Sequence, residues 1–177
     1  VNGSPHKNGK TKEALRIVEN ELVKSNIEVE YFELGNRPVM GCQGCGGCQL
    51  TNRCVHQNEG CNELIEKILK SDGVIIGSPV YFAGPNGALL ALLDRVFYAA
   101  SNYGQLFQGK LAASLVSVWR EGGSASLDRI NKYFTFSQMN IVSSDYWNVY
   151  LGSHDTFGRN TLVKLGQNFV FSLNNRN

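Results

Sequence analysis

Five cysteines, Cys42, Cys45, Cys48, Cys54 and Cys61, fall within 20 residues of a 177-residue chain that has no others. Disulfides that staple a fold are spread to close long loops, so this clustering points away from a disulfide framework. The run Cys42-x2-Cys45-x2-Cys48-x5-Cys54 is dense enough to set four thiolates around one centre. Four thiolates are the donor set of zinc or of an iron–sulfur cluster. A compact CxxCxxC run with its fourth cysteine slightly farther on favours a 4Fe–4S cluster over zinc, whose sites more often use two separated pairs. The same residues also fit reduced thiols in a surface loop, and their odd number suits an intracellular, cytoplasmic protein. Cys61 matches no ligand position and reads as a structural thiol, and His56 reads as a solvated loop histidine.

Three other segments have the composition to hold a ligand. Gly3-Ser4-Pro5-His6-Lys7-Asn8-Gly9-Lys10-Thr11 opens a helix. Free backbone N–H groups and the positive end of the helix dipole suit a phosphate there. Ser4 and Thr11 would add hydroxyl donors, and His6, Lys7 or Lys10 positive charge. It is not a P-loop, because Gly9-Lys10-Thr11 lacks the earlier glycine of GxxxxGK(S/T). The plain alternative is a polar turn with Thr11 near the helix start. Ser78-Pro79-Val80-Tyr81-Phe82-Ala83-Gly84-Pro85 follows a buried strand and carries two adjacent aromatics, which suit the border of a flat ring or a cap on the core. Trp119-Arg120-Glu121-Gly122-Gly123-Ser124 combines glycines that admit close backbone approach with Arg120, which can meet an anion or carbonyl. Alone, it fits an ordinary turn equally well.

The elements around these segments alternate strand and helix, the pattern of a doubly wound α/β domain with about five strands and helices on both faces. Ala14, Leu15, Val18 and Leu22 form one helical stripe. Ile27 to Tyr31 alternates with period two, as an edge strand does. Residues 41–61 are too irregular for an element, and Asn62 to Lys70 reads as a short helix. Gly73 to Gly77 and Leu111 to Val118 are continuous apolar runs, as in central parallel strands buried on both faces. Ser78 to Asn86 reads as a loop, and Leu89 to Phe97 and Leu127 to Phe136 as helices. Asn140 to Val149 should contain a last strand and the residues from Asp155 a terminal helix, with Asp155 as its N-cap. The whole of 1–177 reads as a single domain. Its opening at Val1-Asn2-Gly3 reads as the end of a first strand whose beginning precedes the sequence.

Net charge is +2 with no block of like charges, which argues against a nucleic-acid surface or a polybasic membrane patch. No apolar stretch approaches the ~20 residues needed to span a bilayer. The aromatic-rich segment 97–107 (Phe97, Tyr98, Tyr103, Phe107) is more apolar than a free surface tolerates, which suggests dimerisation.

Taken in order, the segments GSPHKNGKT (3–11), the cysteines of 42–54, SDGVIIGSPVYF (71–82), LLDR (92–95), WREGG (119–123), Tyr146-Trp147-Asn148 and Leu165-Gly166 resemble the NAD(P)H-dependent FMN reductases and iron–sulfur flavoproteins of the flavodoxin-like superfamily. The resemblance implies FMN, with phosphate contacts at Ser4, His6, Asn8, Gly9, Lys10 and Thr11. It places ring and ribityl contacts at Pro79, Val80, Tyr81, Phe82, Arg120, Gly122 and Gly123. It also strengthens the cluster reading for Cys42, Cys45, Cys48 and Cys54. The family more often has Arg where His6 stands, Asn at Lys10, and two Arg before the glycine pair where this chain has Arg120-Glu121.

The activity so implied is that of an oxidoreductase passing electrons from NAD(P)H to a small acceptor or, through the cluster, to a protein partner. No side chain is required as acid or base, because the flavin carries the chemistry. The Ser, His and Asp residues, His154-Asp155 among them, have no nucleophile-elbow context. Two rivals stand beside this reading: a non-enzymatic flavodoxin-like electron carrier, and a zinc-stabilised binding module without flavin.

Overall fold

The structure, a computed structural model, describes residues 1–56, 60–102 and 104–176. Its elements run α1 (Lys10–Lys24), α2 (Cys61–Lys70), β1 (Gly73–Tyr81), β2 (Gly84–Pro85), α3 (Gly87–Ser101), β3 (Leu111–Ser117), α4 (Gly123–Phe136), β4 (Asn140–Ile141), β5 (Val149–Tyr150) and α5 (Thr156–Asn174). β1 and β3 pair in parallel from Gly73↔Leu111 to Pro79↔Ser117, and β3 pairs in parallel with both β4 and β5. On the other side of β1, Asn2 bridges in parallel to Gly77 and to Glu33. The chain therefore lays down its extended segments in the order 2-1-3-4-5. That order reverses beside Asn2, which sets the switch point between Gly3 and the end of β1.

Side-chain alternation along the central strands builds two cores. Val74, Ile76, Ala112 and Val116 face α2, α3 and α4, against Leu64, Ile68, Leu92, Val96 and Ile130. Ile75, Leu111, Ala113 and Leu115 face α1 and α5, against Leu15, Val18, Leu162, Leu165 and Phe169. Burial of both strand faces is why these runs are continuously apolar. Among the described residues no helix is long and apolar enough to cross a membrane.

Four local expectations change. The edge pairing falls at Phe32–Leu34, where Asn2 exchanges bonds with the Phe32 carbonyl and the Leu34 N–H. Residues 27–31 form no ladder with any described residue. Second, Ser78 to Tyr81 is strand, not loop. Pro79 is tolerated because odd-numbered residues of β1 turn their N–H away from β3, and at Pro79 that side lies beyond the last bond, from the Gly3 N–H to the Gly77 carbonyl. Third, the last strand is split into β4 and β5, and the chain between them leaves the sheet. Asn148 pins that excursion by donating to the Ser114 carbonyl (2.8 Å). Fourth, Phe97 and Phe107 are interior, edge-to-face with centroids 5.4 Å apart, so they are not surface residues. Tyr98 is exposed, and Tyr103 lies outside the described residues.

Candidate functional site

The loops flagged in the sequence converge at the carboxyl ends of the parallel strands. In the first, the Gly9 N–H returns to the His6 carbonyl (3.2 Å), and the first bond of α1 runs from the Glu13 N–H to the Gly9 carbonyl (3.1 Å). The amides of Lys10, Thr11 and Lys12 thus have no partner within the helix, at its positive end. Ser4 is buried, and its Oγ accepts the His6 N–H (3.1 Å). Two expected phosphate ligands are otherwise engaged. The Thr11 hydroxyl shares a 2.7 Å hydrogen bond with Ser117 Oγ, and Lys10 Nζ donates to the Leu151 carbonyl (2.8 Å). His6, Lys7 and Asn8 face solvent. What the loop offers an anion is chiefly backbone N–H.

The second loop is a tight hairpin. Val80↔Pro85 and Tyr81↔Gly84 pair antiparallel, with Phe82 (φ 50) and Ala83 (φ 59) at the tip, both left-handed. Turns of this kind normally take Asn-Gly, so a Phe-Ala tip is strained by about 1 kcal/mol or more per residue. The Phe82 side chain lies fully in solvent. The third loop meets this tip, since a β-carbon added to Gly122 (φ +85) would lie 2.4 Å from Ala83 Cα. Arg120 and Glu121 are exposed, as is Trp119.

Residues not singled out in the sequence tie the loops together. Asn86 donates Nδ2 to the Gly3 carbonyl (2.7 Å) while its Oδ1 caps α3 through the Ala88 N–H (3.2 Å). Its own N–H donates to Ser78 Oγ (3.0 Å). The signal available was the order Pro-Asn-Gly before an apolar helical stripe, an N-cap signature. A fourth loop, 142–148, carries exposed Tyr146 and Trp147, and Leu151, just after β5, closes the rim against Lys10. Tyr146 packs edge-to-face on exposed Phe157 at 5.4 Å. Asp155 caps α5 as expected, accepting from the Gly158 N–H (2.8 Å).

Partnerless amides beside a buried serine, a backbone cradle that excludes a β-carbon, and solvent-facing rings fit a phosphorylated flavin. A cavity of about 390 Å³ lies elsewhere, near the amino ends of the strands, lined by Val29, Tyr31, Gly73 and Phe169. It has none of these donors.

A scan of residues 1–153 matches the family model described as NADPH-dependent FMN reductase. The chain belongs to the NADPH-dependent FMN reductase family. It is an FMN-dependent oxidoreductase of flavodoxin-like fold. An iron-sulfur flavoprotein of Methanocaldococcus jannaschii is 30% identical over 82% of this chain and 75% of its own length. Among solved structures, FerB, a flavoenzyme NAD(P)H:(acceptor) oxidoreductase from Paracoccus denitrificans, superposes with a TM-score of 0.67, at 18% identity over 97% of this chain and 91% of that one. A flavodoxin from the domain Archaea gives 0.63, at 12% identity over 96% and 94%.

In this FMN reductase-family chain the cysteine loop is a separate place. Cys42, Cys45, Cys48 and Cys54 all line one small cavity of about 20 Å³ with His56, Arg95 and Tyr98, and no residue of the four loops joins them. Asn62 of α2 holds Cys54 by its backbone on both sides, accepting its N–H and donating to its carbonyl, each at 2.8 Å. Asn102 donates Nδ2 to Cys48 Sγ (3.1 Å). Among the described residues, no group of three or more His, Cys, Asp or Glu is arranged to hold a metal ion. The donor set itself, four thiols on one cavity with N–H donors to two of them, fits a thiolate-bound centre in kind.

Cys61 sits at the start of α2 with no solvent contact. Burial, then the neighbouring Cys54, pushes its thiol up to about 12, and burial also raises Cys48. In metal-free native protein, Cys42 and Cys45, both exposed, should therefore react first with an aromatic disulfide reagent, and Cys61 only after denaturant is added. Peptide mapping that finds Cys61 labelled in the native state would contradict its burial.

Proposed function

We propose that this FMN-dependent oxidoreductase takes its electrons from NAD(P)H and passes them to a small acceptor or, through a 4Fe–4S cluster on the cysteine loop, to a protein partner. The observation that carries the flavin half is the convergence of the Ser4, Phe82 and Gly122 loops at the switch point. Four cysteines on one cavity, in a chain whose relative is named an iron-sulfur flavoprotein, support the second centre. When bound, FMN exchanges hydride chemistry for single-electron chemistry.

The chain's own contribution is positional. The Lys10–Lys12 amides and Ser4 would hold the phosphate, with His6, Asn8 and Gly9 on the same turn. Pro79 to Phe82, Arg120, Gly122 and Gly123 would border ring and ribityl chain, and Arg120 would offset charge at the ring edge. Exposed Phe82 and Trp119 leave that edge open to a flat acceptor. Cys42, Cys45, Cys48 and Cys54 would ligate the cluster. Assembly as a homodimer or tetramer is part of the proposal, supported by the exposed Tyr146, Trp147 and Phe157 rings.

The test is protein purified without oxygen, examined for visible absorption, iron, sulfide, NADH and NADPH oxidation, and mass by light scattering. Flavin bands, about four irons per chain, reductant oxidation and a multimeric mass are expected. Flavin without iron or sulfide would remove the cluster. Failure to oxidise either nucleotide would remove the donor, and a mass near 19.5 kDa the assembly.

A further inference from the structure

We propose that Arg95 of α3 is the positioning and charge-compensating residue of the sulfur site, an inference that rests on the thiolate-centre reading above. Arg95 is only 2% exposed, the most deeply buried of the cations among the described residues. Its Nε donates to Cys54 Sγ (3.4 Å), its Nη1 to the Met40 carbonyl (3.3 Å) and its Nη2 to the His56 carbonyl. Met40 precedes Cys42 and His56 follows Cys54. One planar group, anchored on a helix, thus joins the entry and the exit of the loop and touches a sulfur between them. Only a guanidinium has the fork to do this; a lysine ammonium is a point donor.

The Met40 and His56 carbonyls turn their dipoles toward the buried guanidinium. Four thiolates around an iron–sulfur core would provide formal negative charge at the same place, and each electron added would increase it. A fixed cation there favours the reduced centre, and N–H donation to sulfur acts in the same direction. Asn102, on Cys48, adds a neutral donor, so Arg95 carries the charge effect.

The experiment compares wild-type protein with Arg95→Gln and Arg95→Lys after anaerobic reconstitution with iron and sulfide. It reads iron retained against a chelator, the midpoint potential of the cluster, and FMN content on the same samples. Arg95→Gln should lose iron at about tenfold lower chelator or less and show a lower midpoint, with FMN content unchanged. Arg95→Lys, which keeps the charge without the fork, should recover the midpoint though not the full retention. If both variants lose iron equally with a wild-type midpoint, the residue is a mechanical clamp and the charge role is overturned. Should Arg95→Gln load no iron, Arg95→Lys decides: loading with a near-wild-type midpoint supports the proposal, and failure to load overturns it. Wild-type protein that takes up no iron and sulfide removes the thiolate-centre reading and this inference together, whereas an unshifted midpoint in Arg95→Gln removes this inference alone.

Discussion

Replacing Gly122 by alanine is expected to destabilise the protein by about 2–5 kcal/mol and to weaken FMN binding sharply. Two effects add. The residue sits at φ +85, a left-handed conformation that costs a side-chain-bearing residue about 1–2 kcal/mol. The added β-carbon also falls 2.4 Å from Ala83 Cα, and forcing atoms into a filled space costs about 1–3 kcal/mol more. A neighbouring side chain can rotate away, but Ala83 is backbone, fixed between the paired Tyr81 and Gly84. The second and third loops must then separate. Gly35→Ala is the control, since Gly35 has a similar φ of +61 with nothing within 4 Å of an added β-carbon. It should show the conformational cost alone and leave FMN binding intact. Urea denaturation and an FMN titration on both variants decide the matter. Equal effects would mean that the Gly122–Ala83 contact has no bearing on the site.

Asn86→Ala should be comparably damaging, by about 1.5–5 kcal/mol. Loss of the α3 cap accounts for about 0.5–2 kcal/mol. The Gly3 carbonyl, left buried without its Nδ2 donor, adds about 1–3 kcal/mol. Asn86→Ser separates the two contributions, because serine caps helices well but is too short to reach Gly3. It should recover the cap and still bind FMN as weakly as Asn86→Ala. Should Asn86→Ser instead bind FMN like wild type, the tie between the first and second loops is not what shapes the site.

The central layers are legible in the sequence because their signals are local. Runs such as Val74–Ile76 and Leu111–Val116, buried on both faces, can scarcely be anything but interior strands, and the α1 and α3 stripes follow the helical period. Edge features are harder to read, because pairing there depends on partners far along the chain. The described bonds of the outer pairing fall at Phe32 and Leu34, just beyond the 27–31 alternation, where Asn2 arrives. Pro79 looks like a strand terminator, and only the direction of its missing N–H shows why it is not. Composition and resemblance pick out three candidate ligand loops, but their mutual ties are invisible in the sequence. Nothing near Lys10 announces that its ammonium reaches Leu151, 141 residues on, nor that the Thr11 hydroxyl is taken by Ser117.

The anchorage of the cysteine loop also bears on how such proteins diversify. Its described ties run to Asn62, Glu66, Arg95 and Asn102, on or beside two helices, whereas the candidate flavin rim is held by Asn86, Ser117, Leu151 and the Gly122–Ala83 contact. Among the described residues the two sets share none. Lengthening, shortening or emptying the cysteine segment therefore leaves the rim's hydrogen bonds unchanged. The scaffold can thus gain or lose the proposed cysteine-loop centre as an independent module, without redesign of the candidate flavin rim.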